Sequence, residues 1–264
     1  RHFMEKEIYE QPTAILNTLD GRIGGEDVLE NIFGEGSNEL LSKVERIQIV
    51  AAGTSLHAGR VAANWFSAIA NLPTQIDYAS EYRYKNPYVD KNTLLLTISQ
   101  SGETADTLGA LRYAKERSYL GSLAICNVPT SSLARESDFV LLTNAGPEIG
   151  VASTKAFLGQ ILILYILALK IGLLRKDLKK ELFNEKLKDL KSLPKLAEKT
   201  LLTDNKIQTI SNTFNEAKGS MFLGRGFSFP IALEGALKLK ELSYIHAEGY
   251  PAGEMKHGPL ALIE

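Results

Sequence analysis

Short apolar runs that alternate with helical patterns restrict the fold of this chain more than any other feature. After the run Ile47–Ala52, apolar residues recur at helical spacing through Ile69. Further short runs follow at Gln75–Tyr78, Thr93–Ile98, Ser122–Cys126 and Phe139–Leu142. Buried strands that alternate with helices are typical of a parallel sheet covered by helices on both faces. The sequence therefore predicts an α/β fold with three layers, in which ligands bind at the carboxyl ends of the strands.

The strand–loop–helix unit recurs near the end of the chain. A strand at Ser220–Leu223 is followed by Gly224-Arg225-Gly226 and a helix over Pro230–Tyr244. This glycine pair lacks the third glycine of a dinucleotide fingerprint, so we discount a nucleotide site there. We predict two similar domains: an N-terminal helical segment (1–45), a first domain (46–175), a helical connector (176–206) and the start of a second, incomplete domain (207–264).

The connector and the long apolar helix before it carry more specific expectations. A helix is predicted over Thr154–Leu174, and its core Ile161–Leu169 is far shorter than the ~20 apolar residues that span a bilayer. We therefore expect a buried helix and no membrane segment. In the connector, Pro194 is expected to break or start a helix. One helical face of the connector is expected to be apolar and carries Leu178, Leu182, Leu187 and Leu190.

Charge and cysteine content exclude several classes of function. The chain has 30 basic and 31 acidic residues among 264, a net charge of -1, which argues against a nucleic-acid or anionic-membrane partner. Cys126 is the one cysteine, so neither an internal disulfide nor a cysteine-based zinc site can form. It follows an apolar stretch and is expected to be buried in a strand. We predict no metal and no cofactor, and a reducing, cytoplasmic location. The charged first residues are not a signal peptide.

The segment Ser99-Gln100-Ser101-Gly102-Glu103-Thr104 gives the strongest local signal of function. It follows an apolar strand and opens a helix, whose free N–H groups and partial positive charge suit a phosphate. Ser99, Ser101 and Thr104 add hydroxyl donors, and Gly102 allows the chain to come close. The alternative is plain helix capping by serine and threonine. Glu103 is expected to cap the helix rather than to act in catalysis.

The loop Gly53-Thr54-Ser55 occupies the equivalent position in the preceding unit. Since parallel strands end at one edge of a sheet, Thr54 and Ser55 are expected to form another wall of the same pocket, unless this is an ordinary βα turn. Lys238 and Glu241 are three residues apart and share a helix face, either as a solvated ion pair or as part of a site. His57, His246 and His257 are more ordinary as structural or loop residues.

The two hydroxyl-rich loops resemble the sugar isomerase (SIS) domain, a family that binds phosphosugars. Four segments in this order are more specific and resemble the isomerase part of the glucosamine-6-phosphate synthase (glutamine–fructose-6-phosphate transaminase) family: Ala51–Ser55, Ser99–Thr104, Val151–Phe157 and Ala247–Pro259. The opening residues Lys6–Pro12 also resemble the start of that part. The resemblance implies tandem SIS domains, with the family's C-terminal end missing here and its glutaminase domain lying upstream.

The resemblance also implies roles for individual residues. Fructose 6-phosphate and glucosamine 6-phosphate are the expected ligands, and the expected partners are the glutaminase domain and a second subunit in a homodimer. Glu241 matches the carboxylate that moves a proton between C1 and C2, with Lys238 beside it. His257 matches the histidine that opens the sugar ring in the neighbouring subunit. The residues that match substrate contacts are Thr54, Ser55, Ser99, Gln100, Ser101, Thr104, Val151 and Ser153.

Two other functions share these features. A regulatory module that senses a sugar phosphate would keep the phosphate loop but rarely needs Glu241 and His257. A related enzyme that removes an amino group from a sugar phosphate would share the loop and even the carboxylate. The opening Tyr9-Glu10-Gln11-Pro12 and the stretch Ala247–Glu254 favour the synthase family.

Overall fold

The structure is a computed structural model that describes residues 2–214 and 216–263. The helices are α1 (Phe3–Tyr9), α2 (Gln11–Leu19), α3 (Ser37–Ser42), α4 (Gly53–Ala70), α5 (Ala79–Tyr82), α6 (Ala105–Lys115), α7 (Ser132–Glu136), α8 (Lys155–Leu174), α9 (Lys180–Leu201), α10 (Asp204–Ser211) and α11 (Ser228–Ser243). The strands are β1 (Ile23–Gly24), β2 (Asp27–Val28), β3 (Arg46–Ala51), β4 (Thr74–Tyr78), β5 (Thr93–Ile98), β6 (Gly121–Cys126), β7 (Phe139–Leu142), β8 (Gly219–Gly224) and β9 (His246–Pro251).

A five-stranded sheet in the order β4-β3-β5-β6-β7 forms the centre, and all its strands are parallel. The predicted bounds of β5 and β7 agree with the structure, and those of β3, β4 and β6 differ by one residue. The strands could be located in the sequence because a strand buried on both faces has no solvent-exposed polar face. In β5, for example, every residue is buried.

Alternate residues of each strand feed two separate cores. Ile47 and Ile49 of β3 pack with α2, α4, α8 and α9 on one face of the sheet. Val50 of the same strand and Leu95 of β5 pack with α5, α6 and α7 on the other. This period of two, with both faces covered, produces the three layers. The predicted α/β fold is confirmed, and so is the burial of Cys126, which belongs to the second core.

Helix α8 packs against α4 and is buried along most of its length, as predicted. By length and composition it could cross a bilayer. However, 67% of its apolar window lies inside the protein, which is typical of a core helix.

The connector differs from the prediction in two ways. Leu182 is 42% exposed, whereas Phe183, Leu187 and Leu190 form the buried face of α9. Pro194 neither breaks nor starts a helix but lies inside α9. It is buried four residues after Leu190, so its ring packs in the core and offsets the lost backbone hydrogen bond.

Strands β8 and β9 pair in parallel, and α11 lies between them in sequence and packs on both. Helix α11 also packs against α4, so this second unit contacts the first. The C-terminal residues Pro259–Leu262 form a 3-10 helix. The N-terminal residues contain α1, α2, α3 and the antiparallel pair β1–β2. The division into domains at 45, 175 and 206 stays a prediction.

Candidate functional site

The order of the sheet reverses at β3, because β4 lies on one side of it and β5 on the other. Crevices at the carboxyl ends of strands at such a point are the usual ligand sites of open α/β sheets. A cavity of about 190 Å³ opens there. It is lined by Ala52, Thr54, Ser55, Ile98, Ser99, Gln100, Ser101, Thr104, Thr107 and Ser153. The two predicted loops therefore do meet at one pocket.

The segment after β5 is held in shape by its own hydroxyl groups. Ser99 Oγ accepts a hydrogen bond from the Gly102 backbone N–H (3.1 Å) and lies 2.9 Å from Thr104 Oγ1. Ser101 Oγ accepts from the Glu103 N–H (3.2 Å). Gly102 has φ +67°, a conformation that favours glycine. The loop is thus a preformed turn whose hydroxyls border the cavity.

Two helices begin at this cavity, since α4 and α6 start at Gly53 and Ala105. The amino ends of helices carry free N–H groups and a partial positive charge, which together attract anions. The described side chains that line the cavity are neutral, and most of them carry a hydroxyl group. This combination can hold a phosphate through dipoles and hydrogen bonds.

Thr54 and Ser55 lie in the first turn of α4 rather than in a loop, which corrects the prediction for these residues. The first turn of α4, with its free backbone N–H groups, therefore borders the cavity directly. Ser55 Oγ accepts a hydrogen bond from Gln160 Nε2 of α8 (3.0 Å). Thr54 donates to Glu234 Oε1 of α11 (2.9 Å).

Lys238 and Glu241 lie beside this wall of the cavity. Lys238 Nζ is 2.6 Å from Glu241 Oε2, as the shared helix face predicted. The same Nζ donates to Thr54 Oγ1 (3.2 Å) and is 3.4 Å from Glu234 Oε1. Glu234 is 6% exposed and also binds His57 Nδ1 at 2.7 Å. One network therefore joins α11 to the start of α4.

The other predicted site residues differ in whether they line the cavity. Ser153 lines it, directly before α8. Val151 is 95% exposed and is not one of the lining residues. His257 is exposed in the C-terminal turn, where its backbone N–H binds the Glu254 carbonyl. His246 is exposed in β9, with Glu248 Oε1 3.4 Å away.

Glu103 caps a helix, but not the one that follows it. Its carboxylate accepts from the backbone N–H of Ser132 (2.6 Å), at the start of α7. This hydrogen bond lowers the pKa of Glu103 below its usual value. The contact connects the segment Ser99–Thr104, which we call the phosphate-type loop, to α7.

Sequence reasoning missed three residues that build this site. Glu234 lies one helical turn before Lys238, so its position on the same face was a usable signal. Thr107 lines the cavity from the first turn of α6, and its buried Oγ1 has no hydrogen-bond partner among the described residues. Glu148 accepts a hydrogen bond from Ser153 Oγ (2.9 Å), a loop contact that carries no periodic signal.

Comparisons with known proteins agree with this geometry. The family model of the SIS domain matches residues 40–170 and 213–264. Glutamine–fructose-6-phosphate aminotransferase [isomerizing] of Escherichia coli is 55% identical over the whole chain, which spans 43% of that relative's length. The C-terminal domain of glucosamine-fructose-6-phosphate aminotransferase from Francisella tularensis is 48% identical, with a TM-score of 0.98 over 100% of this chain and 74% of that one.

A more distant solved structure shares the same fold. Glucosamine-6-phosphate deaminase from Thermotoga maritima is 26% identical, with a TM-score of 0.75 over 100% of this chain and 74% of that one. The matched family model and the Francisella structure both cover the strands and helices that form the cavity. This chain belongs to the SIS-domain family and, within it, to the C-terminal domains of glucosamine-fructose-6-phosphate aminotransferases.

Proposed function

We propose that this chain is the isomerase part, with tandem SIS domains, of an enzyme that converts fructose 6-phosphate to glucosamine 6-phosphate with ammonia from glutamine. The cavity at the switch point of the sheet carries the proposal. Its hydroxyl groups and helix amino ends suit a phosphate, and Lys238 and Glu241 stand beside the same wall. Phosphate binding and proton transfer are the two things that a phosphosugar isomerase needs in one place.

The phosphate binds at the loop after β5, through Ser99, Gln100, Ser101 and Thr104. Three observations support this: the loop is preformed, α6 begins directly after it, and its hydroxyls border the cavity. The sugar then extends along the rest of the cavity wall. Thr54, Ser55 and Ser153 contact it there, and exposed Val151 contacts it from the loop before α8.

Glu241 moves the proton between C1 and C2 of the open sugar. One carboxylate on a rigid helix can serve both carbons, because they are adjacent, and a positioned acid–base group accelerates a reaction by about 10²–10⁴-fold. Lys238 binds Glu241 at 2.6 Å and Thr54 at 3.2 Å, so it links the carboxylate to the cavity wall. Lys238 thereby orients Glu241.

His257 opens the sugar ring in the site of a second subunit, so the enzyme is a homodimer. Its exposure, away from the cavity of its own chain, supports a role across an interface. An imidazole can exchange a proton near neutral pH, as ring opening requires. A glutaminase domain of the full-length protein supplies the ammonia, since the chain spans 43% of the length of its curated relative. The enzyme is cytoplasmic.

Isothermal titration with fructose 6-phosphate tests the phosphate site. We expect the double variant Ser101→Ala plus Thr104→Ala to weaken binding by about 10²–10⁴-fold, since each of the two lost hydrogen bonds to a charged group costs about 1.5–3 kcal/mol. Ser42→Ala, which removes an exposed hydroxyl at the end of α3, is the matched control and should bind as the parent does. Unchanged binding by the double variant would mean that the loop only caps α6.

A second candidate is an enzyme that removes the amino group of glucosamine 6-phosphate. The shared fold and 26% identity with the Thermotoga deaminase favour it. Ammonia release from glucosamine 6-phosphate, measured without glutamine, separates the two. Steady release with turnover would support the deaminase, whereas binding of the same sugar without release would support the synthase.

A further inference from the structure

The loop that joins β7 to α8 contributes Ser153 to the cavity lining, and one carboxylate organises the end of this loop. Glu148 Oε1 accepts from the backbone N–H of Thr154 (2.7 Å) and of Ala156 (3.3 Å). Its Oε2 accepts from Ser153 Oγ at 2.9 Å. Glu148 thus caps the start of α8 and also binds the hydroxyl that lines the cavity.

This contact fixes the direction in which Ser153 can form hydrogen bonds. A serine hydroxyl has one proton and two lone pairs. Because an ionised carboxylate only accepts, the Ser153 proton points to Glu148, and the lone pairs remain for a ligand. Ser153 can therefore accept a hydrogen bond from a sugar hydroxyl. It cannot donate to a phosphate oxygen, and the nearby negative charge of Glu148 disfavours an anion there.

Two carboxylates, one in α1 and one at its C-terminal end, also hold this loop. Glu7 is 4% exposed, and its carboxylate accepts from the backbone N–H groups of Ile149 and Gly150. Glu10 binds Lys155 Nζ at 2.6 Å, and Lys155 is 3% exposed. Ser153 lies between these two attachments in sequence, and Glu148 directly precedes the first, so the loop that carries both side chains is held at two points.

We propose that Glu148 is a positioning residue that makes Ser153 a hydrogen-bond acceptor and so fixes which way round a sugar phosphate lies in the cavity. The phosphate-type loop offers hydrogen-bond donors, and Ser153 offers an acceptor elsewhere in the same lining. A phosphate is rejected at Ser153, while a hydroxyl of the sugar is bound there. This inference rests on the proposed function and assigns an orienting role to a residue outside the cavity lining.

Glu148→Gln is the direct test, because it keeps the size and an oxygen that can still cap α8. Its amide N–H₂ would donate to Ser153 Oγ and turn the serine proton towards the cavity. We expect the dissociation constant of fructose 6-phosphate, measured by isothermal titration, to rise about tenfold, the effect of one hydrogen bond. The dissociation constant of inorganic phosphate, which has no hydroxyl to place, should change less than twofold.

A double-mutant cycle separates orientation from simple loop damage. In a Ser153→Ala background, Glu148→Gln should have little further effect on fructose 6-phosphate, because the residue through which it acts is gone. Glu136→Gln makes the same chemical change at the exposed ion pair with Arg112 and should bind both ligands as the parent does. Thermal unfolding of each variant checks that α8 is still capped.

Two results would overturn the proposal. Equal weakening of fructose 6-phosphate with and without Ser153, or equal weakening of inorganic phosphate, would mean that Glu148 acts only on the fold of the loop. In both cases the parent still binds the sugar phosphate, so the proposed function stands. A parent chain that binds neither ligand would overturn the proposed function, and this inference with it.

Discussion

Replacement of Gly102 by alanine tests whether the phosphate-type loop depends on close packing. Gly102 has φ +67°, and a Cβ atom at this position would lie 2.5 Å from Ser131 Cβ and closer still to Ser131 Oγ. Ser131 is 2% exposed and caps α7, so it has little room to move. The substitution therefore introduces both backbone strain and a clash with a well-packed side chain.

The two effects can be separated because Gly53, the first residue of α4, has a similar conformation in open space. Its φ is +53°, and nothing lies within 4 Å of an added Cβ atom. Left-handed backbone costs about 1–2 kcal/mol for an alanine. Overpacking adds about 1–3 kcal/mol. We expect Gly53→Ala to lower the free energy of unfolding by about 1–2 kcal/mol, and Gly102→Ala by about 2–5 kcal/mol.

Urea unfolding followed by circular dichroism measures both values. Combining Gly102→Ala with Ser131→Gly should recover most of the difference between the two alanine variants, since it removes the side chain that clashes. Glycine is tolerated as a helix cap at a cost of a few tenths of a kcal/mol. Equal destabilisation by Gly53→Ala and Gly102→Ala, or no recovery in the combined variant, would refute the reasoning from close packing.

Three further predictions concern the site, the connector and the loop carboxylate. Glu241→Gln should lower the rate of isomerisation by about 10²–10⁴-fold with little change in the affinity for fructose 6-phosphate; a large loss of affinity instead would argue against a role in proton transfer. Leu187→Ala, at a buried position of α9, should cost about 2–5 kcal/mol of unfolding free energy, whereas exposed Leu182→Ala should cost less than about 1 kcal/mol. Because the Ser132 N–H lowers the pKa of Glu103, the ionised carboxylate stabilises the fold at pH values above its usual pKa of 4.5 and loses this effect as the pH falls through the lowered value. The stability difference between the parent and Glu103→Gln should therefore be constant near neutral pH and shrink below about pH 4.5; a difference that does not vary with pH would contradict this.

The strands and their shared edge could be predicted because the signal is local. A buried parallel strand is apolar along most of its length, so Thr93–Ile98 stands out between Asn92 and Ser99, and Phe139–Leu142 between Asp138 and Thr143. The position of the loop Ser99–Thr104 could be predicted in the same way. Once the strand and the following helix are located, the hydroxyls between them must lie at the carboxyl edge of the sheet.

The contacts that shape the site could not be predicted in this way, since they join distant parts of the chain. Glu234 binds Thr54 and His57 across 180 and 177 positions of sequence. No local pattern indicates such a pair. The prediction that Pro194 breaks or starts a helix was wrong for a related reason. Intrinsic propensity disfavours proline inside a helix, but burial of its ring against the core outweighs that preference.

The neutral lining of the cavity bears on how the ligand would respond to dissolved salt. Sites that hold a phosphate with lysine or arginine attract it over long distances, and added ions screen this attraction within about 10 Å at 0.1 M ionic strength. Hydroxyl groups and helix amino ends act only over the length of a hydrogen bond or the first helical turn. The affinity of such a site for a sugar phosphate should change little as ionic strength rises. Long-range electrostatic attraction should also add little to the rate of association. The chain would then recognise a sugar phosphate by shape and hydrogen bonding at close contact rather than by its charge at a distance.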